Sequence, residues 1–307
     1  MSDGNKAVKS DKTPVWATLI TNTSYLSGLL TLAYSLRRAG SKYPLVVLYA
    51  DSFPPDGRRA LDARGIPRQR VDYLQPAPGD TIDPRFRDCW TKLVVFSLTQ
   101  YARVVALDAD MLVRRNMDEL MDVPLDGRDR LFAACHACLC NPLHLPNYPR
   151  NWTPAACAYT SPPPHLQHAP PPAELNGGLL VVQPSAALAG QIRAQLGSGD
   201  SRLQRLPFAE QSLLSGLFRG RWAVLPYRYN ALKTLRWRGV HAGLWADGEV
   251  RCVHFILTPK PEAAGGVNGV EENGGNGMEM EEVDLWWGGV DRERRAKERE
   301  MECVDGW

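Results

Sequence analysis

Two aspartates, Asp108 and Asp110, stand one residue apart in the stretch RVVALDADMLVRRN. The apolar run before them, Val104–Leu107, predicts a buried strand, so both carboxylates are placed where that strand ends. Two like charges this close repel each other unless a cation binds them both. Carboxylate oxygens suit hard divalent cations such as Mn²⁺ and Mg²⁺, and a cation held there can also bridge a diphosphate. The pair therefore predicts a metal site at the end of the strand.

Two other interpretations of the pair stay open from the pattern alone. Asp-x-Asp is a short motif, and Asp108 and Asp110 could be solvated aspartates in a turn. The aspartyl-phosphate phosphohydrolases also place such a pair at a strand end, with the first aspartate as nucleophile. Their motif normally opens the catalytic domain, whereas here several predicted elements precede it, and no Asp-Asp pair follows it. The phosphohydrolase interpretation is therefore the weakest of the three.

The elements around the two aspartates alternate between strands and helices. Residue patterns predict strands at 15–22, 43–50 and 103–109, and helices at 23–40, 55–65 and 89–101. Such alternation predicts an α/β fold with a mostly parallel central sheet and helices on both faces. Ligands of such sheets bind at the carboxyl ends of the strands, which is where Asp108 and Asp110 lie.

The second half of the chain is less regular. A strand at 175–185, a helix at 208–218 and a final strand at 251–257 are predicted. Before these elements, residues 135–172 are rich in proline and cysteine, and a connection this long is usually functional or mobile. Its stretch CHACLC, with His144 and Cys157, offers ligands for structural zinc at an irregular spacing. Free buried cysteines are the commoner explanation of such a cluster, and the sequence does not choose between them.

Composition sets the domain boundaries that we expect. Residues 1–13 are polar and predict a disordered leader, and 14–261 form one domain. Residues 262–283 contain mainly glycine, asparagine and glutamate, which predicts a disordered linker. Residues 284–307 predict a charged C-terminal helix, in which DRERRAKERE forms a solvated face and the two tryptophans of DLWW pack back on the domain.

Bulk properties exclude several classes of function. Of the 307 residues 44% are hydrophobic, which is enough for a sizeable core, and the net charge of +2 provides no general attraction for nucleic acid. The sequence contains no signal-peptide pattern and no run of about 18 apolar residues, so no membrane span is expected. Without a secretory signal, the seven cysteines are expected to be reduced thiols in the cytosol or nucleus, and we expect a cytoplasmic protein.

Six separated motifs, in this order, resemble those of the family 8 glycosyltransferases, the group of glycogenin and the plant galactinol synthases. The resemblance covers roughly residues 16–260. The motifs are ATLITNTSYLSGLLTLAYSLRR, CWTKLVVFSLTQYARVVALDADMLV, LNGGLLVVQPS, FAEQSLLSGLF, YRYNALKTLRWR and VHFILTPKP. FAEQ and YNALKTLRWR are more similar to galactinol synthase than to glycogenin. One such motif would be weak, but six in order are specific.

The resemblance implies one nucleotide-diphospho-sugar transferase domain of the GT-A type. It implies Mn²⁺ as cofactor, with Mg²⁺ as the alternative, and a UDP-sugar donor, either UDP-galactose or UDP-glucose. The hexose would pass to a hydroxyl group of a small-molecule or glycan acceptor, with retention of the anomeric configuration. On the same resemblance, residues 135–172 belong to the acceptor side, and the protein could form a homodimer.

Individual positions match the motifs of the family. The implied metal ligands are Asp108, Asp110 and His254. Implied donor-binding positions are Leu19, Thr21, Asn22 and Tyr25 for the nucleotide, Lys260 for the diphosphate, and Asn176 with Gly177 for the sugar. Lys92 and Ala109 are implied to contact the donor as well. The pair Glu210 and Gln211, together with Asn176, is implied to act at the anomeric carbon.

The sequence also departs from the family at several positions. Glu210 stands where glycogenin has aspartate, and Lys260-Pro261-Glu262 stands where the family has Lys-Pro-Trp. The glycine usual a few residues before that lysine is absent. These departures leave two alternatives to a galactinol synthase-like transferase. One is a UDP-sugar-binding protein with impaired catalysis, and the other is a self-glucosylating primer similar to glycogenin.

Overall fold

The structure, a computed structural model, describes residues 12–77, 87–160, 174–257, 260, 282–303 and 305–307. The strands are β1 (Val15–Ile20), β2 (Leu45–Tyr49), β3 (Arg68–Arg70), β4 (Val104–Leu107), β5 (Met111–Val113), β6 (Phe132–His136), β7 (Leu175–Val182), β8 (Ala223–Val224), β9 (Ala231–Leu232) and β10 (Cys252–His254). The α-helices are α1 (Leu26–Arg38), α2 (Pro55–Ala63), α3 (Ala186–Leu196), α4 (Ala209–Leu217) and α5 (Glu282–Glu300). The predicted leader 1–13 and linker 262–283 lie almost wholly outside the described residues, as do the residues from 161 onward of the predicted segment 135–172.

A seven-stranded sheet in the order β3-β2-β1-β4-β7-β6-β8 forms the centre of the domain. Strands β3, β2, β1 and β4 pair in parallel, as do β6 and β8. Only β7 runs antiparallel, between β4 and β6. The sheet is therefore mostly parallel, which confirms the fold class that the alternation of elements predicts.

Both faces of this sheet are buried. Successive side chains of a strand point to opposite faces, and the side chains of each face pack into a separate core cluster. In β1, Val15 and Ala17 pack into one core cluster, whereas Trp16 and Ile20 pack into the other. Helices α3 and α4 cover the first face, and α1 and α2 cover the second. This arrangement explains why the strands consist of nearly continuous apolar residues.

A second, three-stranded sheet in the order β5-β10-β9 carries the end of the domain. Strand β10 pairs antiparallel with β5 and parallel with β9. The predicted final strand 251–257 is thus shorter, Cys252–His254, and belongs to this second sheet. The chain turns soon after it, where Leu257 adopts a left-handed backbone with φ of 73°. The apolar pattern cannot show which sheet a strand joins, because it reports burial alone.

The predicted helix 89–101 is wrong in type and length. The segment Cys89–Ser97 forms consecutive 3₁₀ turns. It contains threonine, two valines, tryptophan and phenylalanine, which are weak formers of α-helix, and six of its nine residues are buried. Contacts with α3 and α4 on the sheet therefore determine its conformation more than its helix propensity does.

The C-terminal helix α5 packs against α1, and the predicted solvated face of DRERRAKERE is wrong. Arg294 is completely buried and pairs with Asp291 at 2.7 Å and with Glu298 at 2.7 Å. Glu298 also pairs with Arg64 of the segment after α2, at 2.9 Å. The alternating charges of this segment predicted an exposed face. The structure buries Arg294 instead, because a charge that is paired with opposite charges can be buried where a single charge cannot. No described helix is both long enough and apolar enough to cross a membrane.

Candidate active site

The two sheets meet at the acidic pair. Asp108 follows β4 of the large sheet, and Asp110 directly precedes β5 of the small one. His254 ends β10, opposite Met111 of β5, so its imidazole comes beside the two carboxylates. Its Nε2 lies 3.3 Å from Asp110 Oδ1 and 3.8 Å from Asp108 Oδ2. These three predicted metal ligands therefore converge, and one donor atom from each lies within 4.8 Å of the others.

The orientation of His254 is set by a chain of side-chain amides. Asn176 Oδ1 accepts hydrogen bonds from the Gly178 amide (3.0 Å) and from Asn230 Nδ2 (2.8 Å). Asn230 therefore turns its Oδ1 toward His254 Nδ1, at 2.9 Å, and this oxygen can only accept a hydrogen bond. His254 Nδ1 therefore donates to Asn230, and the other ring nitrogen, Nε2, faces the two carboxylates. One imidazole nitrogen beside two carboxylates is a donor set that divalent cations bind, so these residues fit a divalent metal.

Lys260 and Lys92 each hold one of the two aspartates. Lys260 Nζ donates to Asp110 Oδ2 at 2.5 Å and to the Phe255 carbonyl at 2.7 Å. Burial raises the pKa of Asp110, but His254 and Lys260 more than offset this effect and hold that pKa well below its usual range. Lys92 Nζ lies 2.6 Å from Asp108 Oδ1. Each aspartate is thus held in place by a lysine at the edge of the site.

Glu210 joins the site through the same lysine. It begins α4, is almost fully buried, and its Oε1 accepts a hydrogen bond from Lys92 Nζ at 3.2 Å. Burial raises the pKa of Glu210, Lys92 opposes that increase, and Asp108 adds to it. Burial also lowers the pKa of Lys92, but Asp108 and Glu210 outweigh burial and keep that pKa above its usual value. Lys92 thus stays protonated between two acids.

Gln211 connects α4 to the end of β7. Its Oε1 accepts hydrogen bonds from the Gly177 amide (3.1 Å) and from Asn176 Nδ2 (3.3 Å). The Gly177 carbonyl in turn accepts a hydrogen bond from Lys92 Nζ at 3.3 Å. Asn176, Gly177, Glu210 and Gln211, which the resemblance placed near the sugar, therefore form one connected group.

Gly178 is a site residue that the sequence analysis missed. A Cβ atom at Gly178 would lie 2.3 Å from His254 Cε1, which is closer than real Cβ contacts come. A Cβ at Gly177 would lie 3.1 Å from Glu210 Oε1. The two adjacent glycines let β7 pass close to the imidazole of His254 and the buried carboxylate of Glu210. The Gly178 carbonyl also accepts a hydrogen bond from the Asp108 amide at 2.9 Å. The doubled glycine of LNGGLL was the available signal.

Thr21 and Asn22 line a cavity of about 930 Å³ beyond the ends of β1 and β2. Thr21 Oγ1 donates to Asp88 Oδ2 at 2.5 Å, and Asp88 stands four residues before Lys92. Leu19 and Tyr25, which were also predicted to bind the nucleotide, are not among the described residues that line this cavity. Leu19 packs against the core cluster of its sheet face, and Tyr25 is 44% exposed before α1.

Asp88 and Asn230 are further polar residues of the site that the sequence did not single out. Asn230 occurs in the motif YRYNALKTLRWR, but nothing in that motif shows which side chain it contacts. Asp88 also accepts a hydrogen bond from the Tyr73 hydroxyl and so holds the wall of the cavity. Ala109, between the two aspartates, is buried and supplies no side-chain ligand.

Comparison with known proteins by sequence shows the family of this chain, and comparison with solved structures shows its fold. Residues 17–261 match the model of glycosyl transferase family 8. Galactinol synthase 3 of Arabidopsis thaliana is 28% identical over 297 residues, which are 92% of this chain and 83% of that protein. Galactinol synthase 2 of Solanum lycopersicum is 28% identical over 309 residues, which are 93% of this chain and 82% of that protein.

Among solved structures, the fold is similar to that of the galactosyltransferase LgtC in complex with donor and acceptor sugar analogues. The TM-score is 0.57 at 16% sequence identity, with 94% of this chain and all of that chain covered. The glycosyltransferase GlyE of Streptococcus pneumoniae is similar with a TM-score of 0.55 at 16% identity, covering 94% of this chain and 64% of that chain. These similarities confirm the GT-A type of fold.

Proposed function

The chain belongs to glycosyl transferase family 8, and we propose from that premise that it transfers a hexose from UDP-galactose or UDP-glucose to a hydroxyl group. The reaction depends on Mn²⁺ and retains the anomeric configuration. The observation that carries the proposal is the convergence of Asp108, Asp110 and His254 from two sheets beside Lys92 and Lys260.

Asp108, Asp110 and His254 are the residues that would hold the metal. Two carboxylates and one imidazole suit Mn²⁺, with Mg²⁺ as the alternative. A bound ion would supply positive charge against the diphosphate of the donor. The protein's own contribution is to hold the three ligands in place, through the Asn230 hydrogen bond to His254 and the two lysines beside the aspartates.

Lys260 stabilises the departing UDP. Its ammonium is held at the edge of the acidic pair by Asp110 and the Phe255 carbonyl. A phosphate oxygen that arrives there accepts a hydrogen bond from it, and the positive charge lowers the energy of the leaving group.

Glu210 stabilises the sugar while its bond to the diphosphate breaks. The bond between the anomeric carbon and the phosphate oxygen breaks, and the acceptor oxygen forms its bond on the same face. The proton of the acceptor hydroxyl passes to a phosphate oxygen of UDP. Positive charge develops on the sugar meanwhile, and the buried carboxylate of Glu210 opposes it. Lys92 binds Glu210 Oε1, which favours this electrostatic role over that of a nucleophile.

Asn176, Gly177 and Gln211 position the sugar. Their amides form a connected group next to Glu210, and side-chain amides recognise hydroxyl groups through paired hydrogen bonds. Because these relatives are named galactinol synthases, we propose UDP-galactose as the donor of this chain and a small hydroxylated molecule such as a cyclitol as its acceptor. Donor choice depends on which sugar hydroxyls these amides meet.

A screen of UDP release tests the proposal. Purified protein is incubated with Mn²⁺ and either UDP-galactose or UDP-glucose, alone and with candidate acceptors, and released UDP is measured. Asp110→Asn is expected to abolish transfer and the metal-dependent binding of UDP, because it removes one charge of the ligand pair. Asp129→Asn, an exposed aspartate in a turn, is the control and should retain both. Full activity of Asp110→Asn would refute the metal proposal.

The same screen separates the two alternatives. A UDP-sugar that binds in calorimetry without any release of UDP would indicate a binding protein with impaired catalysis. The replacement of tryptophan by Glu262 next to Lys260 is the observation that favours this alternative. Intact mass after incubation without an acceptor detects self-glycosylation, since each transferred hexose adds its own mass to the chain.

A further inference from the structure

A second group of metal-binding side chains lies outside the candidate active site. Cys138, Cys140, Cys157 and His241 each present a donor atom within 4.8 Å of the others. We propose that these four residues bind a structural zinc ion. The sequence suggested zinc for CHACLC with His144 and Cys157, but the structure brings in His241, about a hundred residues further along the chain.

The first cysteine of CHACLC is not part of this group. Cys135 lies inside β6 and donates to the Pro226 carbonyl at 3.3 Å. His144 occupies a left-handed turn (φ 51°) and is also outside the group. A strand interior points Cys135 into the core, whereas Cys138 and Cys140 follow the end of the strand, where the chain is able to fold around an ion.

The distances suit a tetrahedral zinc site. His241 Nε2 lies 3.1 Å from Cys140 Sγ and 3.3 Å from Cys157 Sγ. Zn–S bonds of about 2.3 Å and Zn–N bonds of about 2.1 Å at tetrahedral angles imply a separation of about 3.6 Å between sulfur and nitrogen. The observed separations are within about half an ångström of that value. Four protein ligands also fill the coordination shell, as in structural zinc sites.

Cys157 Sγ lies between a backbone amide and the imidazole of the group. The Leu139 amide donates to Cys157 Sγ at 3.4 Å. Three thiol groups and an imidazole are soft ligands, which select zinc over the Mn²⁺ expected at the carboxylates.

Two other roles of the cluster agree less well with the structure. A nucleophilic Cys157 activated by His241 would need access to a substrate, yet both residues are buried. A disulfide would join two of the cysteines, yet every cysteine of the chain is described with a free thiol. A nucleophile or a disulfide would each use only two of the four side chains, whereas a closed metal site uses all four.

The proposed zinc would join two segments that flank the active site. One leaves β6, where Cys135 pairs with Asn176. The other follows β9, where Leu232 pairs with His254. Cys138, Cys157 and Leu232 pack in one small apolar cluster. An ion bound there would fix both segments, and with them the wall beside the site, without taking part in the reaction.

Metal analysis of the purified full-length chain tests the proposal. Protein from which any tag has been removed, kept in reducing buffer without chelator, is expected to contain about one zinc per chain. Cys157→Ser and His241→Ala are expected to lose most of it. Cys303→Ser, at a cysteine outside the cluster, and Asp110→Asn, in the other candidate metal site, are controls that should keep it. Loss of zinc in Asp110→Asn alone would assign the ion to the acidic site and overturn the proposal.

A second measurement needs no variant, so it is decisive even if the cysteine variants fail to fold. Wild-type protein stripped of metal under reducing conditions is loaded with Co²⁺. Three thiolates around cobalt are expected to give intense thiolate-to-metal absorption and tetrahedral visible bands, and Zn²⁺ should displace them. Wild-type protein that takes up neither Zn²⁺ nor Co²⁺ at these cysteines, or that shows a disulfide among them by mass spectrometry, would overturn the proposal.

Discussion

Lys92 illustrates how single residues of this site act through their neighbours. One ammonium group reaches Asp108, Glu210 and the Gly177 carbonyl, and so joins β4, α4 and β7. A solvated helix lysine would have one weak partner at most. Because Lys92 lies between Asp108 and Glu210, the loss of either acid would change the charge that the other one meets.

Glu210 is the residue whose role is most directly testable. Glu210→Gln keeps the shape of the side chain but removes the negative charge, so turnover is expected to fall about 100-fold or more, while UDP affinity stays close to wild type. Steady-state kinetics and calorimetry with UDP measure the two effects. Glu249→Gln, at a glutamate with a 64% exposed side chain, is the matched control and should change neither.

If Glu210→Gln loses UDP binding instead, Glu210 belongs to donor recognition and the charge model is wrong. An unchanged turnover would mean that no positive charge develops near Glu210 in the rate-limiting step. Either result leaves the fold and the acidic pair as they are.

At the scale of elements, the close passage of β7 past His254 depends on a residue without a side chain. Gly178→Ala places a methyl group 2.3 Å from His254 Cε1, so the imidazole has to move away from Asp110. Mn²⁺ affinity is expected to fall about 10- to 100-fold, as when a ligand's support is lost. Titration of the variant with Mn²⁺ in the presence of UDP measures this change.

The same substitution elsewhere is the control. Gly190 lies within α3 with open space around its Cα, and Gly190→Ala is expected to raise stability by about 0.5–1 kcal/mol without changing Mn²⁺ affinity. Wild-type Mn²⁺ affinity in Gly178→Ala would show that β7 can retreat, and that the contact with His254 does not position the ligand.

Helix α5 depends on a buried ionic contact with the domain. Arg294→Ala removes the fully buried arginine that Asp291 and Glu298 share, and it is expected to lower the free energy of unfolding by about 3 kcal/mol, because Arg295 and Arg64 still pair with these two acids. Arg299→Ala, one turn further along and exposed, should change it by less than about 0.5 kcal/mol. Urea denaturation compares the two. Equal stability of both variants would mean that α5 adds nothing to the folded domain.

The contact of α5 also reaches the candidate active site. Trp287 packs edge-on against Phe255, at 5.1 Å between ring centroids, and Phe255 directly follows His254. The Phe255 amide donates to the Asp110 carbonyl at 3.0 Å. The C-terminal helix therefore packs against the residue that directly follows His254, the third proposed metal ligand.

At the scale of the whole molecule, two aspartates should make stability depend on pH. Burial raises the pKa of Asp291, but Arg294 and its neighbours outweigh burial and lower it. The hydrogen bond from Arg64 lowers the pKa of Asp305. A carboxyl group whose pKa is lower in the folded state stabilises the fold above its unfolded value, near 3.8, and loses that contribution as pH falls through the folded value.

Denaturation curves from pH 7 down to pH 3 are therefore expected to show a loss of stability below about pH 4. The double variant Asp291→Asn/Asp305→Asn should be less stable at pH 7 and should lose less as pH falls, since it has no such charges to protonate. Curves of equal slope for the variant and the wild type would contradict this account of how the C-terminal segment is held.

The sequence by itself determined the features that depend on neighbours along the chain. Apolar runs predicted β1, β2 and β4, and their alternation with helices predicted the mostly parallel sheet. Gly40 ends α1 with φ of 74°, as the pattern predicts, because a left-handed residue there lets the last turn close. The acidic pair was visible for the same reason, since its two residues and its strand are adjacent.

Only the tertiary structure decided which distant side chains meet. His254 reaches Asp110 through the pairing of β10 with β5, and Asn230 turns its imidazole toward the acids. His241 joins the cysteines, and Arg294 is buried, although the patterns around them predict neither. Hydrophobic periodicity reports the burial of one element, whereas such contacts depend on the order of strands and the packing of elements far apart in sequence. That information is distributed over the whole core, so no single stretch of the chain carries it.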